Sequence, residues 1–291
     1  MKPPIFDYVK VSTVEDATAI LADSSKEAVV IAGGQSLLPM LNFRLAAPDI
    51  LVDISGIDVL KLLEEREGAV TIGAMARHVD LGSSPIIARH FPVLTEAVTH
   101  IAHLAIRNRG TIGGSLCHAD PAAELPMMVL LLDAELMIAG VKGPRTIAAK
   151  DFFCSALETD IQEGEMLVSI NLPLLPPNSG WGFEEVSRKS GDFALAAVCT
   201  VLTLNDGMIS EIRIAVTGVD DTPRRMDRAE AMLCGKTLDG DLLCEVCDMV
   251  QSDINPDTDL QASSDYRRHL VGVLTARVLK DAFARAGGTF V

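Results

Sequence analysis

Two Gly-Gly bends, each set behind an apolar run, constrain this chain more than any other feature of its 291 residues. One reads Ile31-Ala32-Gly33-Gly34-Gln35-Ser36, the other Gly110-Thr111-Ile112-Gly113-Gly114-Ser115. Glycine tolerates positive φ and carries no β-carbon, so successive amide N–H groups can converge on one point. The hydroxyls of Ser36, Thr111 and Ser115 add donors, and Arg107 and Arg109 precede the second bend. Such a donor set suits a diphosphate. Gly-Gly also simply makes tight turns, and one bend alone would be read that way; two bends with hydroxyls leave both readings open. Neither matches GxGxxG opening a helix, nor GxxxxGK followed by Ser or Thr. That argues against a classical dinucleotide-binding βαβ site and against a nucleoside triphosphatase.

The formal net charge of −15 argues against nucleic acid, whose phosphates demand a Lys/Arg surface. Any phosphate must then be held by local donors. Mean hydropathy is +0.29, high for a chain with no run of 18 apolar residues. No membrane span is expected, and part of the apolar surface is expected to be covered by partners. Residues 1–6 carry no apolar signal core, so a cytoplasmic location is expected. The six cysteines are read as free thiols of a reducing compartment. Cys244 and Cys247 fall in the helical pattern of Leu242, Leu243, Val246, Met249 and Val250. They are read as core residues and not as a metal pair. The histidines, at 78, 90, 100, 103, 118 and 269, are scattered, and no catalytic triad stands out.

The length suits two or three domains. A capping sequence at Thr13–Asp16 predicts a helix to about Leu21. Ala28–Ile31 and Ile50–Ile54 predict buried strands around the first bend. Leu60–Glu64 and Val70–Ala74 flank a hairpin turn at Glu67-Gly68. Helices are expected near Ile86–Arg89, Val93–Ala102 and Pro121–Leu131, and strands at Ala134–Ala139 and Met166–Leu172. Three prolines and a glycine in Pro173–Gly180 mark a boundary. Beyond it, Phe193–Leu204 and Met208–Val216 flank an Asn-Asp-Gly turn. Helices then follow at about Arg225–Leu233, Gly240–Asp253 and Asp265–Ala286.

After the second bend comes Cys117-His118-Ala119-Asp120-Pro121-Ala122-Ala123-Glu124. A carboxylate here can accept hydrogen bonds from sugar-alcohol hydroxyls. Equally, Asp120 can cap a helix and Glu124 can serve its first turn. Cys117 and His118 lack further ligands at metal spacing and are read as packing or loop residues.

At these residues the sequence resembles a known family. Ala32–Ser36 and Asn108–Ser115 look like the two FAD-pyrophosphate loops of the flavin subunits of molybdenum hydroxylases. That family includes the medium subunit of carbon monoxide dehydrogenase and the flavin domain of xanthine dehydrogenase. The Asp120-Pro121-x-x-Glu124 segment, the Val168–Ile170 strand and Arg188–Ala194 follow in the family's order, so the resemblance spans nearly the whole chain. It implies an α+β architecture: a vanillyl-alcohol-oxidase-like (PCMH-type) FAD-binding fold of two subdomains, residues 1–55 and 56–174, plus a C-terminal α+β domain, residues 179–288. It implies FAD contacts from Ala32, Gly33, Gly34, Gln35 and Ser36, and from Thr111, Ile112, Gly113, Gly114 and Ser115. Glu124 stands where the family usually has Asp, a residue touching the ribityl chain or flavin. Lys189 falls in a segment that approaches the flavin. Phe193, a Tyr in some relatives, keeps a stacking surface without the hydroxyl.

The resemblance further implies an electron-transfer subunit without catalytic residues of its own. It would partner a molybdopterin-binding large subunit and a 2Fe–2S small subunit, in a dimer of heterotrimers. No cysteine cluster for an additional iron–sulfur centre is visible. Two other readings are a self-contained flavin reductase or oxidase of the same superfamily, and a non-catalytic assembly subunit with degenerate bends.

Overall fold

The computed structural model describes residues 2–290, which form two compact units. The first comprises the chain up to Leu81, His103–His118 and Ala134–Pro173. The second comprises Gly82–Ala102, Ala119–Asp133 and the chain from Leu174 onward.

The first unit contains two main sheets. Strands β1 (Asp7–Lys10), β2 (Ala28–Ile31) and β3 (Ile50–Asp53) run parallel in the order β1–β3–β2. Parallel strands need crossovers, and the helices Val14–Leu21 and Leu37–Phe43 supply them. Thr13 caps the first helix as its sequence predicts: its Oγ1 accepts the Asp16 amide at 3.1 Å. The second sheet is antiparallel. It joins β4 (Leu63–Arg66), β5 (Ala69–Gly73), β6 (Glu135–Gly140) and β7 (Gly143–Ala148) to a longer strand later in the chain. Between them, β8 (Phe153–Ser155) and β9 (Glu158–Thr159) pair only with each other. The longer strand is β10 (Glu165–Pro173), and the order is β4–β5–β10–β6–β7.

Two details differ from the sequence reading. Leu60 and Lys61 belong to a 3-10 turn, Asp58–Lys61, and not to β4. Leu60 is fully buried, and its carbonyl accepts the Met75 amide at 2.7 Å. The edge strand β7 was not foreseen, because its Gly and Pro read as a break. Arg145 anchors it, bonding Glu165 at 2.8 and 2.9 Å and Asp160 at 2.7 Å.

The second unit is built on an antiparallel sheet of β11 (Gly180–Ser187), β12 (Ala194–Asn205), β13 (Met208–Thr217) and β14 (Arg224–Arg225), in that order. The β12–β13 turn carries positive φ at Asp206 and Gly207, as its sequence predicts. Residues 194–203 of β12 are all buried, which accounts for their continuous apolar run. The helices are Pro85–His90, Pro92–His100, Glu124–Leu131, Asp227–Leu233, Gly240–Asp253 and Ser264–Arg285. Every residue of Glu124–Leu131 is buried; each such Leu or Met side chain contributes ~1.5–3 kcal/mol by leaving water.

That helix begins at Glu124, three residues later than Pro121. The Pro121 carbonyl is committed elsewhere, accepting the Thr217 hydroxyl at 2.7 Å and the Gly218 amide at 2.8 Å. Asp120 makes a local turn instead of a cap, its Oδ1 accepting the Ala122 amide at 2.9 Å. Cys244 and Cys247 do lie on a helix, but Cys244 is exposed and Cys247 half-buried, so only part of the pair belongs to the core. Residues 174–179 form neither helix nor strand. No helix among the described residues is long and apolar enough to cross a membrane.

Candidate cofactor site

The first bend leaves β2 at Ile31, whose carbonyl accepts the Ile54 amide at 3.3 Å. Gly34 has φ +71° and turns the chain toward the helix Leu37–Phe43. The Gln35 side chain braces the turn by donating to the Gly33 carbonyl at 3.0 Å. The carbonyls of Gly34 and Ser36 are taken by the amides of Leu38 and Met40. The amides of Gly33, Gly34, Gln35 and Ser36 find no acceptor among the described residues, and the Ser36 hydroxyl makes no capping bond. Four consecutive amide donors and a hydroxyl are therefore available to an anion.

The second bend is built differently. Thr111 bridges Arg77, and the amides of Ile112 and Gly113 donate to the carbonyls of Ala76 and Ala74 at 3.0 and 2.9 Å. The Gly114 amide donates to Thr111 Oγ1 at 3.1 Å and the Ser115 amide to the Thr111 carbonyl at 3.0 Å. Its amides are thus spent inside the chain. Gly113 and Gly114 are helical residues of Ile112–His118, not a turn, because close approach is what they provide. A β-carbon on Gly113 would lie 2.6 Å from both the β-carbon and the carbonyl oxygen of Ala74.

The two bends touch. A β-carbon on Gly33 would overlap the Arg109 carbonyl and lie 2.9 Å from the α-carbon of Gly110. One on Gly114 would lie 3.9 Å from the β-carbon of Ala32. Beneath Gly110 sits His78, whose amide donates to the Gly110 carbonyl at 3.0 Å. Both His78 ring nitrogens are buried without a hydrogen-bond partner, and burial holds the imidazole below its ordinary pKa. The same unit holds a cavity of about 260 Å³ lined by Ser55, Lys61, Met75, Arg77 and Asp80. Arg77 donates to the Asn108 carbonyl at 2.6 Å.

In the second unit, Glu124 is 8% exposed, and burial followed by the charges of Glu185 and Asp120 pushes its carboxyl up to about 8. Lys189 is exposed on the turn after β11, its carbonyl accepting the Ser187 hydroxyl and the Asp192 amide. The ring of Phe193 is 65% exposed, an open stacking surface. Among the described residues, no three His, Cys, Asp or Glu side chains stand close enough to hold a metal ion.

The model of the FAD binding domain in molybdopterin dehydrogenase matches residues 4–175. The chain belongs to that family. The CO dehydrogenase flavoprotein C-terminal domain matches residues 181–282. This flavin subunit is 41% identical over 290 residues to the 6-hydroxypseudooxynicotine dehydrogenase complex subunit alpha of Paenarthrobacter nicotinovorans, covering 99% of this chain and 98% of that protein. It is 36% identical over 285 residues to the carbon monoxide dehydrogenase medium chain of Hydrogenophaga pseudoflava, covering 98% and 99%. The fold superimposes on a solved carbon monoxide dehydrogenase of that organism with a TM-score of 0.95 at 38% identity, covering 98% of this chain and 99% of the other. Quinoline 2-oxidoreductase from Pseudomonas putida 86 gives a TM-score of 0.94 at 36% identity, covering 98% and 99%.

The cofactor of this family is FAD, and the first unit fits it. The free amides at Gly33–Ser36 match a diphosphate's demand for donors, and two of the absent β-carbons keep the bends in contact. Sequence reasoning missed His78, Ala74 and Ala76. They sit in Gly73-Ala74-Met75-Ala76-Arg77-His78, where a polar residue directly after an apolar strand is the sole visible signal. It also missed Glu185, whose strand had no clear pattern.

Proposed function

We propose that this flavin subunit is the FAD-carrying electron-transfer component of a heteromeric molybdenum hydroxylase. The observation that carries the reading is the row of unsatisfied amides at Gly33–Ser36 beside a second bend that supports it. FAD suits the task because it accepts electrons singly and gives them up in pairs.

In this reading Ala32, Gly33, Gly34, Gln35 and Ser36 hold the diphosphate by backbone donors. Thr111, Ile112, Gly113, Gly114 and Ser115 hold the first bend in place, with the Ser115 hydroxyl as a further donor. Glu124 reaches the ribityl chain or flavin, its extra methylene extending the usual Asp. Lys189 and the ring of Phe193 face the flavin. The fold is of the PCMH type, with residues 1–55 and 56–174 as FAD-binding subdomains and 179–288 as the C-terminal domain. The partners are a molybdopterin-binding large subunit and a 2Fe–2S small subunit, assembled as a dimer of heterotrimers in the cytoplasm. Relatives of nearly equal length carry the names of unlike substrates, nicotine and carbon monoxide among them. Substrate choice therefore resides in the large subunit.

The test is purification of the tagged chain from its native host. A yellow protein with one FAD per chain, co-purifying with molybdenum- and iron-containing subunits, is expected. A colourless protein that free FAD cannot reconstitute would sink the reading.

A further inference from the structure

The flavin site leaves one motif unused, Cys244-Glu245-Val246-Cys247. Both cysteines are helical residues of Gly240–Asp253, three positions apart. That spacing stacks them one turn apart on one face of the helix. Helical rise and radius set their α-carbons about 5 Å apart, inside the roughly 4.4–6.8 Å that a disulfide spans. The other four cysteines, at 117, 154, 199 and 234, stand on or beside four different elements, so this is the one pair that shares an element.

The two thiols differ in access. Cys244 is exposed. Cys247 is half-buried and packs against the apolar core of the second unit. Its turn is braced: Gln251 Nε2 donates to the Cys247 carbonyl at 3.4 Å, and the same side chain fills the space over Gly272 on the helix Ser264–Arg285. Burial, followed by the charges of Cys244 and Asp248, pushes the Cys247 thiol up to about 11. Oxidants attack thiolates that they can reach, so Cys247 is the poorer first target and Cys244 the better one. An exposed thiol with a second thiol one turn away is the arrangement in which a sulfenic acid is resolved to a disulfide.

We propose that Cys244 and Cys247 form a peroxide-sensitive dithiol that closes reversibly to a disulfide within the helix Gly240–Asp253. The proposal goes beyond the function proposed above and does not depend on it, because it involves neither flavin nor partner. The Cys244 sulfur attacks a hydroperoxide, the O–O bond breaks, and Cys244 becomes a sulfenic acid while the other oxygen leaves as water or an alcohol. The Cys247 sulfur then attacks the Cys244 sulfur. The S–S bond forms, the S–O bond breaks, and the hydroxyl leaves with the Cys247 proton as water. Two thiols are oxidised and one peroxide is reduced. Exposed disulfides are the readily reduced ones. Two molecules of a small thiol such as glutathione therefore return both cysteines to thiols and leave as their own disulfide.

The experiment uses the full chain, reduced and then freed of reductant, as wild type, Cys244→Ser and Cys247→Ser. Each is exposed to hydrogen peroxide at low protein concentration, remaining thiols are capped with iodoacetamide, and tryptic peptides are weighed. The wild-type peptide that carries both positions should take up no cap and lose a pair of hydrogens. In Cys247→Ser the Cys244 sulfenic acid should persist and be trapped by dimedone. In Cys244→Ser the Cys247 thiol should still be capped after the wild type has fully closed. Reduced glutathione should restore both caps in the wild type. Capping at both positions after Cys154 or Cys234 has been oxidised overturns the proposal. So does a bond between two chains, or sulfinic acid at Cys244 without any S–S bond. A disulfide that excess glutathione leaves intact overturns its reversibility.

Discussion

Gly33 lies so close to Arg109 that a β-carbon on the glycine would overlap the arginine's carbonyl oxygen. In the proposed site, the four free amides of Gly33–Ser36 meet one diphosphate only while that contact keeps the bend in place. Backbone cannot yield as a flexible side chain can, so Gly33→Ala should cost about 1–3 kcal/mol by overpacking and largely abolish FAD retention. Gly240→Ala meets nothing within 4 Å and is the control, expected to retain flavin fully. The visible absorbance of purified protein reads both. Full flavin occupancy in Gly33→Ala would show that the contact does not position the site.

Thr111 is 2% exposed, and its hydroxyl accepts the Gly114 amide. Thr111→Val keeps the shape and strands that amide, a loss of about 1–2 kcal/mol. If the bend supports the site as a unit, FAD affinity should fall roughly tenfold for each 1.4 kcal/mol lost. Thr111→Ser restores the acceptor and should recover most of the affinity. Equilibrium dialysis against FAD measures all three; equal affinity for Val and Thr would count against the scaffold role.

The elements most legible in the sequence are those whose side chains signal their own burial. Residues 194–205 and the Asn-Asp-Gly turn lie where local chemistry places them, whereas Ala28–Ile31 is the strand its apolar run predicts but is half-buried along its whole length. The Gly-Gly pairs also showed where an anion could be held. They did not show that the two bends differ. Whether an amide is free depends on what faces it, and Ala74 and Ala76 are more than thirty residues from the second bend in the sequence. β11 was missed for a related reason. Its Gly180-Trp181-Gly182 start lacks β-branched residues, and its burial comes from packing against the remote helix Ser264–Arg285. Glu185 therefore gave no sign that its Oε2 would be buried without a hydrogen-bond partner.

His78 makes the second bend sensitive to acid. Its folded-state pKa lies below the ordinary value, chiefly because burial disfavours the imidazolium. The unfolded chain then binds a proton that the folded chain refuses. The stabilisation is complete above about 6.5 and is lost as pH falls toward the lower, folded value. His78→Asn removes the titration. Between pH ~7 and pH ~5 the wild type should lose more stability than the variant, as read by urea midpoints at each pH. Parallel pH curves for the two proteins would refute this account.

Arg267 fastens three parts of the second unit from a site only 7% exposed. Its Nη1 donates to the carbonyls of Leu195 at 2.6 Å and Gly218 at 2.8 Å, and its Nη2 meets Asp259 at 2.9 Å. The bonds to Leu195 and Gly218 hold the start of β12 against the turn that follows β13. Arg267→Ala leaves two carbonyls without this donor and opens a cavity, so a loss of about 3–5 kcal/mol is expected. Asp259 is about half exposed, so Asp259→Asn should cost under ~1 kcal/mol. The single tryptophan, Trp181, lies on β11 and reports on this unit alone. Its fluorescence midpoint in urea should fall sharply in Arg267→Ala and little in Asp259→Asn. Equal shifts in the two variants would mean that the ion pair, and not the carbonyl bonds, carries the arginine's contribution.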